Sequence, residues 1–106
     1  MDTLAALADP TRRRILELLA DGEVAAGELS AEFDVSRPAV SRHLRVLREA
    51  GLVQSRVDGQ RRVYSLDARP LAELDEWLAP YRRFWAQRLD ALDTEIRRGS
   101  RKRRDR

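Results

Sequence analysis

Apolar positions in this chain follow two periods, and the switch between them organises it. As far as residue 50, apolar side chains recur every three or four positions, the spacing of helices buried on one face. "DTLAALAD" predicts a short amphipathic helix with Leu4 and Leu7 on one side. "DPTRRRILELLADG" predicts a second, with Asp9 as cap, Pro10 in the first turn, Gly22 as stop and Ile15, Leu18 and Leu19 as its buried stripe. "AAGELSAEFD" predicts a third, with Leu29 and Phe33 inward. Asp34–Val35–Ser36 then forms a tight turn in which Ser36 can cap the next helix.

That fourth helix is expected from Arg37 to Ala50, with Gly51 as its stop. At about 100° per residue, Val40, Leu44 and Leu47 share a narrow arc. Pro38, Ser41, Arg42, Arg45 and Glu49 collect opposite, with Arg48 at the margin. One side is a core stripe and the other is polar and cationic. The period then falls to two in "LVQSRVDGQRRVYSL", which predicts a hairpin turning at Asp58–Gly59, with Arg56, Gln60, Arg61 and Arg62 at its tip and shoulders. After Asp67 and Pro70 a long helical pattern returns, through Leu71, Leu74, Leu78, Tyr81, Trp85, Leu89, Leu92 and Ile96. Trp77 and Phe84 widen that stripe, and Pro80 is expected to kink or divide the helix.

The expected fold is therefore mainly α with a small β-hairpin, an α+β arrangement. Helix, turn, helix and hairpin in that order make a winged helix-turn-helix. A chain of 106 residues suits one modest domain, placed at 1–96, with 97–106 as a basic, disordered tail. There is no cysteine, hence no disulfide framework and no thiolate ligand. No apolar run approaches the ~20 residues of a membrane span, and no secretory leader is recognised. A cytoplasmic protein without a membrane partner is expected.

The net charge of +3 becomes informative once located. Residues 1–35 carry three arginines against eight acids, and residues 63–96 carry four against seven. Residues 36–62 reverse the balance with seven arginines against two acids, and the tail holds seven bases against one acid. The basic island coincides with the fourth helix and the hairpin, so a polyanion approached from one side is the expected partner. B-DNA's major groove admits one α-helix, and arginine can bridge guanine O6 and N7. The reading helix is thus expected to present Ser36, Arg37, Pro38, Ser41, Arg42 and Arg45 to double-stranded DNA. Arg56, Gln60, Arg61 and Arg62 of the wing would meet backbone or minor groove.

"ALADPTRRRILELL", "VSRPAVSRHLRVLREAGLV" and "GQRRVYSL" together resemble the ArsR/SmtB family of bacterial transcriptional repressors. The resemblance covers residues 4 to about 96. It implies a homodimeric winged-helix repressor bound to an inverted repeat, often in its own promoter. It also implies that Arg37, Pro38, Ser41 and Arg42 face DNA and that the terminal helices form the dimer interface. Members that sense metal through the third helix carry a "CVC"-like segment; here "EVAAGEL" puts Ala25 and Gly27 at those positions. A second family site uses Asp and His pairs along the last helix, and that helix has no histidine here. His43, the single histidine, suits a core-flanking or phosphate-touching role better than a metal site. No cofactor and no metal are expected. "WLAPYRRFWAQRLDAL" resembles a metal-independent branch of the family, described as autorepressors.

The aromatics of the last stripe could line a pocket for an apolar effector, but a dimer seam formed by Leu4, Leu7, Tyr81, Trp85, Leu89 and Leu92 is the preferred expectation. Catalysis is not expected, because no nucleophile, base and orienting group can be assembled around one histidine. A winged-helix protein-interaction module and a non-specific DNA-binding protein are the competing functions for a basic surface of this kind.

Overall fold

A computed structural model describes residues 2–104, with side chains for 2–98. The chain divides into two compact units, Met1–Leu74 and Asp75–Arg106. The element order is α1 (Asp2–Leu7), α2 (Pro10–Ala20), β1 (Val24–Ala25), α3 (Ala26–Ala31), α4 (Arg37–Glu49), β2 (Val53–Asp58), β3 (Arg61–Leu66) and α5 (Arg69–Arg104). It is a mainly helical fold with a small antiparallel sheet, in the winged helix-turn-helix order.

Local chemistry explains most of the helix ends in the first unit. The Asp9 carboxylate accepts the N–H groups of Thr11 at 2.8 Å and Arg12 at 3.2 Å, and Pro10 occupies the first turn of α2. Gly22, just beyond α2, takes a φ of 140° that a side chain would resist. The Ser36 hydroxyl accepts Ala39 N–H at 3.2 Å, which starts α4. Gly51 follows α4 with φ 76° and turns the chain into the sheet.

The buried faces match the expected stripes in α4 and depart from them in the shorter helices. Val40, Leu44 and Leu47 are all buried and, with Ile15, Leu19, Leu29 and Leu52, form the core. In α2 the third core residue is Leu16, while Leu18 only packs at the edge. In α1 the buried pair is Thr3 and Ala6 rather than Leu4 and Leu7. Leu7 is half-buried against the chain's own core and Leu4 is exposed. A helix of six residues offers too few positions for its stripe to be fixed by pattern alone, and close packing selects the small side chains.

The sheet has three strands in the order β1-β3-β2, all antiparallel. The two-residue β1, too short to alternate, pairs Val24 with Tyr64 and Ala25 with Val63. Asp58 pairs with Arg61, so the hairpin turns at Gly59–Gln60, one residue later than expected. Gly59 takes φ 64°, the positive value that the first position of a tight hairpin turn demands. Leu71, at the start of α5, packs on the core.

The second unit is the remainder of α5. The expected division at Pro80 does not occur: the helix runs on through it. Pro80 forfeits the hydrogen bond to the Glu76 carbonyl. Both residues are exposed, so water can satisfy that carbonyl. The helix also continues through 97–104, so most of the segment expected as a disordered tail has helical backbone, while 105 and 106 lie outside the described residues. Arg and Lys are good helix formers, and extending an existing helix needs no new nucleus. Trp77 and Tyr81 meet in a tilted contact with 5.2 Å between ring centroids, and Arg88 covers Phe84 at 4.2 Å.

Candidate nucleic-acid interface

The guanidiniums of the first unit sort into three groups by what they touch. Arg12 and Arg13 donate to carbonyls at the end of α1. Arg14, Arg56, Arg61 and Arg69 are paired with Glu17, Glu23, Glu28 and Asp67. Arg37, Arg42, Arg45, Arg48 and Arg62 form no ion pair among the described residues. This third group is not scattered. Four members lie on α4 and all five are exposed.

Helical geometry sets the first four. Ser36, Arg37, Pro38, Ser41, Arg42 and Arg45 are all exposed, opposite the buried Val40, Leu44 and Leu47. Ser41, Arg45 and Arg48 follow one another at i, i+4 and i+7, a single stripe. Strand alternation sets the fifth. Arg62, Tyr64 and Leu66 share one face of β3 with Val57, Ser55 and Val53 of β2. Arg62 donates to the Ser55 hydroxyl at 3.2 Å on that face. Tyr64 lines an open groove of about 510 Å³ together with Ser41, Arg45, Arg48 and Glu49. The exposed face of α4 and one face of the wing therefore flank a common groove.

The opposite face of the wing is committed elsewhere. Arg56 and Arg61 lie across the pleat from Arg62. Arg56 donates to Glu23 at 2.6 Å, and Arg61 donates to Glu28 at 3.0 Å. The four wing residues expected to act together are thus divided: Arg62 shares the sheet face of the groove, Arg56 and Arg61 sit behind it, and Gln60 is exposed in the loop. Arg48 and Tyr64 were missed as groove residues. The i, i+4, i+7 spacing from Ser41 signals the first, and the two-residue step from Arg62 signals the second.

Two carboxylates brace the frame around this surface. Burial works to raise the Asp9 carboxyl, yet the Arg12 and Thr11 N–H donors hold it below its usual value. The Asp67 carboxyl is held far below the usual carboxylate range, first by the Arg69 guanidinium and backbone N–H and further by Gln54. Gln54 of β2 donates to Asp67 at 3.0 Å, and the Arg69 N–H at the head of α5 donates to the same carboxylate at 3.1 Å. The wing and the start of α5 are joined there.

Among the described residues, no three or more His, Cys, Asp and Glu side chains group together in a way that could hold a metal ion. No described helix is long and apolar enough to cross a membrane.

Residues 9–55, from the cap of α2 into β2, match the model of the bacterial regulatory protein arsR family. The chain is 55% identical over 84 residues to the HTH-type transcriptional regulator Rv2034 of Mycobacterium tuberculosis, covering 79% of this chain and 76% of that protein. It is 38% identical over 73 residues to the transcriptional repressor SdpR of Bacillus subtilis, covering 69% of this chain and 81% of that one. The crystal structure of a possible transcriptional regulator for arsenical resistance is similar with a TM-score of 0.70 at 47% identity, over 90% of this chain and 96% of that one. Matched across its winged helix-turn-helix by relatives of this kind, the chain belongs to the bacterial ArsR family: it is a DNA-binding transcriptional regulator and not an enzyme.

Proposed function

We propose that the chain is a homodimeric repressor that binds an inverted-repeat operator, its own promoter being the first candidate. The observation that carries the reading is the segregation of uncommitted guanidiniums. Arg37, Arg42, Arg45, Arg48 and Arg62 lack acidic partners among the described residues, and they lie on α4 and on the sheet face that shares its groove. Arg42 and Ser41 read base edges in the major groove, with Ser36, Arg37 and Pro38 opening the reading helix. Arg45, Arg48 and Arg62 grip phosphates on either side of the groove. Arg56, Arg61 and Gln60 complete the wing, the two arginines by holding it to the segment around α3.

Dimerisation is supported by the second unit. Tyr81, Trp85, Leu89 and Leu92 are exposed by 50%, 41%, 58% and 52%, and Trp77, Phe84 and Ile96 widen the same stripe. Apolar surface of this extent on one helix calls for a partner, and the same helix of a second copy completes a symmetric seam. A repressor of this design needs no bound metal, since Ala25 and Gly27 offer no ligand atoms in their side chains. It works in the cytoplasm, on the nucleoid. Residues 1–96 carry both activities, and the basic segment 97–106 follows them.

Selection from random duplexes, with sedimentation of the complex, tests this reading. An enriched inverted repeat with two subunits per site supports it. Retention of all duplexes alike, with loss at modest salt, would put the non-specific binder or the protein-interaction module ahead.

A further inference from the structure

One arginine joins three helices, and DNA contact does not account for it. α1 has six residues, too few to be stable alone, and its last carbonyls have no partner within the helix. Arg12 of α2 supplies partners. Its Nε donates to the Ala6 carbonyl at 2.6 Å and its Nη2 to the Ala5 carbonyl at 3.2 Å. Arg13 donates to the Leu7 carbonyl at 2.8 Å. Cationic groups at the C-terminal end of a helix also suit its dipole.

The remaining nitrogen of the fork turns to the reading helix. Arg12 Nη1 lies 3.3 Å from Nδ1 of His43. A guanidinium can only donate, so in this contact Nδ1 is the acceptor. His43 is half-buried and directly follows Arg42, so its anchoring restrains the rotation of α4 about its own axis. The core stripe of Val40, Leu44 and Leu47 fixes which side of α4 faces inward. Apolar contacts are non-directional, and a fork of hydrogen bonds adds the angular restraint that they lack.

We propose that Arg12 is a positioning residue for DNA reading: it locks the end of α1 and the rotation of α4 to one guanidinium. The inference rests on the assignment of α4 as the reading helix. Docking of α1 and presentation of Ser41 and Arg42 are thereby linked without any direct contact between Arg12 and DNA.

The test uses the full chain, a duplex chosen by selection and a scrambled control, over a salt series. Arg12→Lys keeps the charge and loses the fork; His43→Leu removes the acceptor; His43→Asn restores an oxygen near the place of Nδ1. Arg12→Lys and His43→Leu should each weaken specific binding by about fivefold to tenfold, the loss of one or two hydrogen bonds. The double variant should lose little more than either single one. His43→Asn should recover to within about twofold of the unaltered protein, because the hydrogen bond is restored. The salt slope should stay unchanged, since no phosphate contact is removed. Long-range ¹H–¹⁵N spectra should show His43 with an unprotonated Nδ1, a signature lost in Arg12→Lys.

Unchanged affinity in Arg12→Lys, additive losses in the double variant, or a shallower salt slope would each overturn the positioning role. Should Arg12→Lys fail to fold, the contrast between His43→Leu and His43→Asn on the half-buried side decides alone. Equal binding of both duplexes by the unaltered protein would instead defeat the reading of α4 itself, a separate failure.

Discussion

Leu89→Ala tests the proposed seam with a magnitude that follows from the structure. Leu89 is 58% exposed in the single chain. Full burial of a leucine side chain is worth ~1.5–3 kcal/mol, so covering the exposed part contributes roughly 1–1.7 kcal/mol per copy. A two-fold interface uses each residue twice, which raises the effect to roughly 2–3.5 kcal/mol. That is about a 30- to 300-fold rise in the dimer dissociation constant. Truncation leaves the β-carbon in place but opens a cavity, and these two corrections oppose each other. Sedimentation velocity from nanomolar to tens of micromolar protein measures the constant, with circular dichroism as the check on helix content. Val57→Ala is the control, because Val57 is 67% exposed on the wing and should leave dimerisation unchanged. An unaltered dissociation constant for Leu89→Ala, with normal helix content, would refute the seam. So would an unaltered protein that stays monomeric at micromolar concentration.

Leu47→Ala, at a position with 0% exposure, should cost about 2–5 kcal/mol of stability, read as a lower midpoint in urea; a loss under about 1 kcal/mol would contradict the core assignment. Arg42→Ala should cost ~1–3 kcal/mol of operator binding and relax preference at one position per half-site, and an unchanged preference in a selection would move the reading face elsewhere. Arg62→Ala should weaken all sequences evenly and lower the salt slope by about one, while Arg61→Ala, already paired with Glu28, should do so less; equal slopes for the two would undo the division of the wing. Asp9 and Asp67 both have depressed carboxyl values, so their stabilisation is present above the unfolded value near 3.8 and is lost as pH falls through the lower folded value. Unfolding midpoints followed from pH 5 downward should therefore fall less steeply in Asp67→Asn than in the unaltered chain, and parallel curves would remove Asp67 from the acid response.

Elements whose periodicity ran for several turns were legible in the sequence. The buried arc of α4 was readable because Val40, Leu44 and Leu47 repeat over thirteen residues between a capping serine and a glycine stop. The wing was readable because two six-residue segments rich in strand-forming side chains flank a glycine turn. β1 was not, since two residues cannot show a period. In α1 the side of burial depended on what the helix met, and pattern alone preferred Leu4 and Leu7 to the smaller Thr3 and Ala6 that pack inward. The uninterrupted course of α5 through Pro80 was hidden for a related reason. A proline rule states the cost of the missing donor, not whether solvent can satisfy the carbonyl it leaves.

The candidate interface was half legible. Charge counted along the chain located the basic island, and helical geometry put Ser41, Arg42 and Arg45 on its open side. Sequence could not show that Arg56 and Arg61 meet Glu23 and Glu28, because those partners lie 33 positions away in each case. Nor could it show Arg12 beside His43, 31 positions apart. Pairing across such separations depends on how the elements pack.

Sequence-dependent DNA binding through α4 is the property on which everything else depends. Fluorescence anisotropy on the duplex upstream of the chain's own coding sequence, against a scrambled duplex and over a salt series, tests it most directly. Tight binding to the first duplex by two subunits is expected, with a gap between the duplexes that persists as salt rises and no change on adding zinc or a chelator. Equal affinity for both duplexes, abolished together by modest salt, would contradict it.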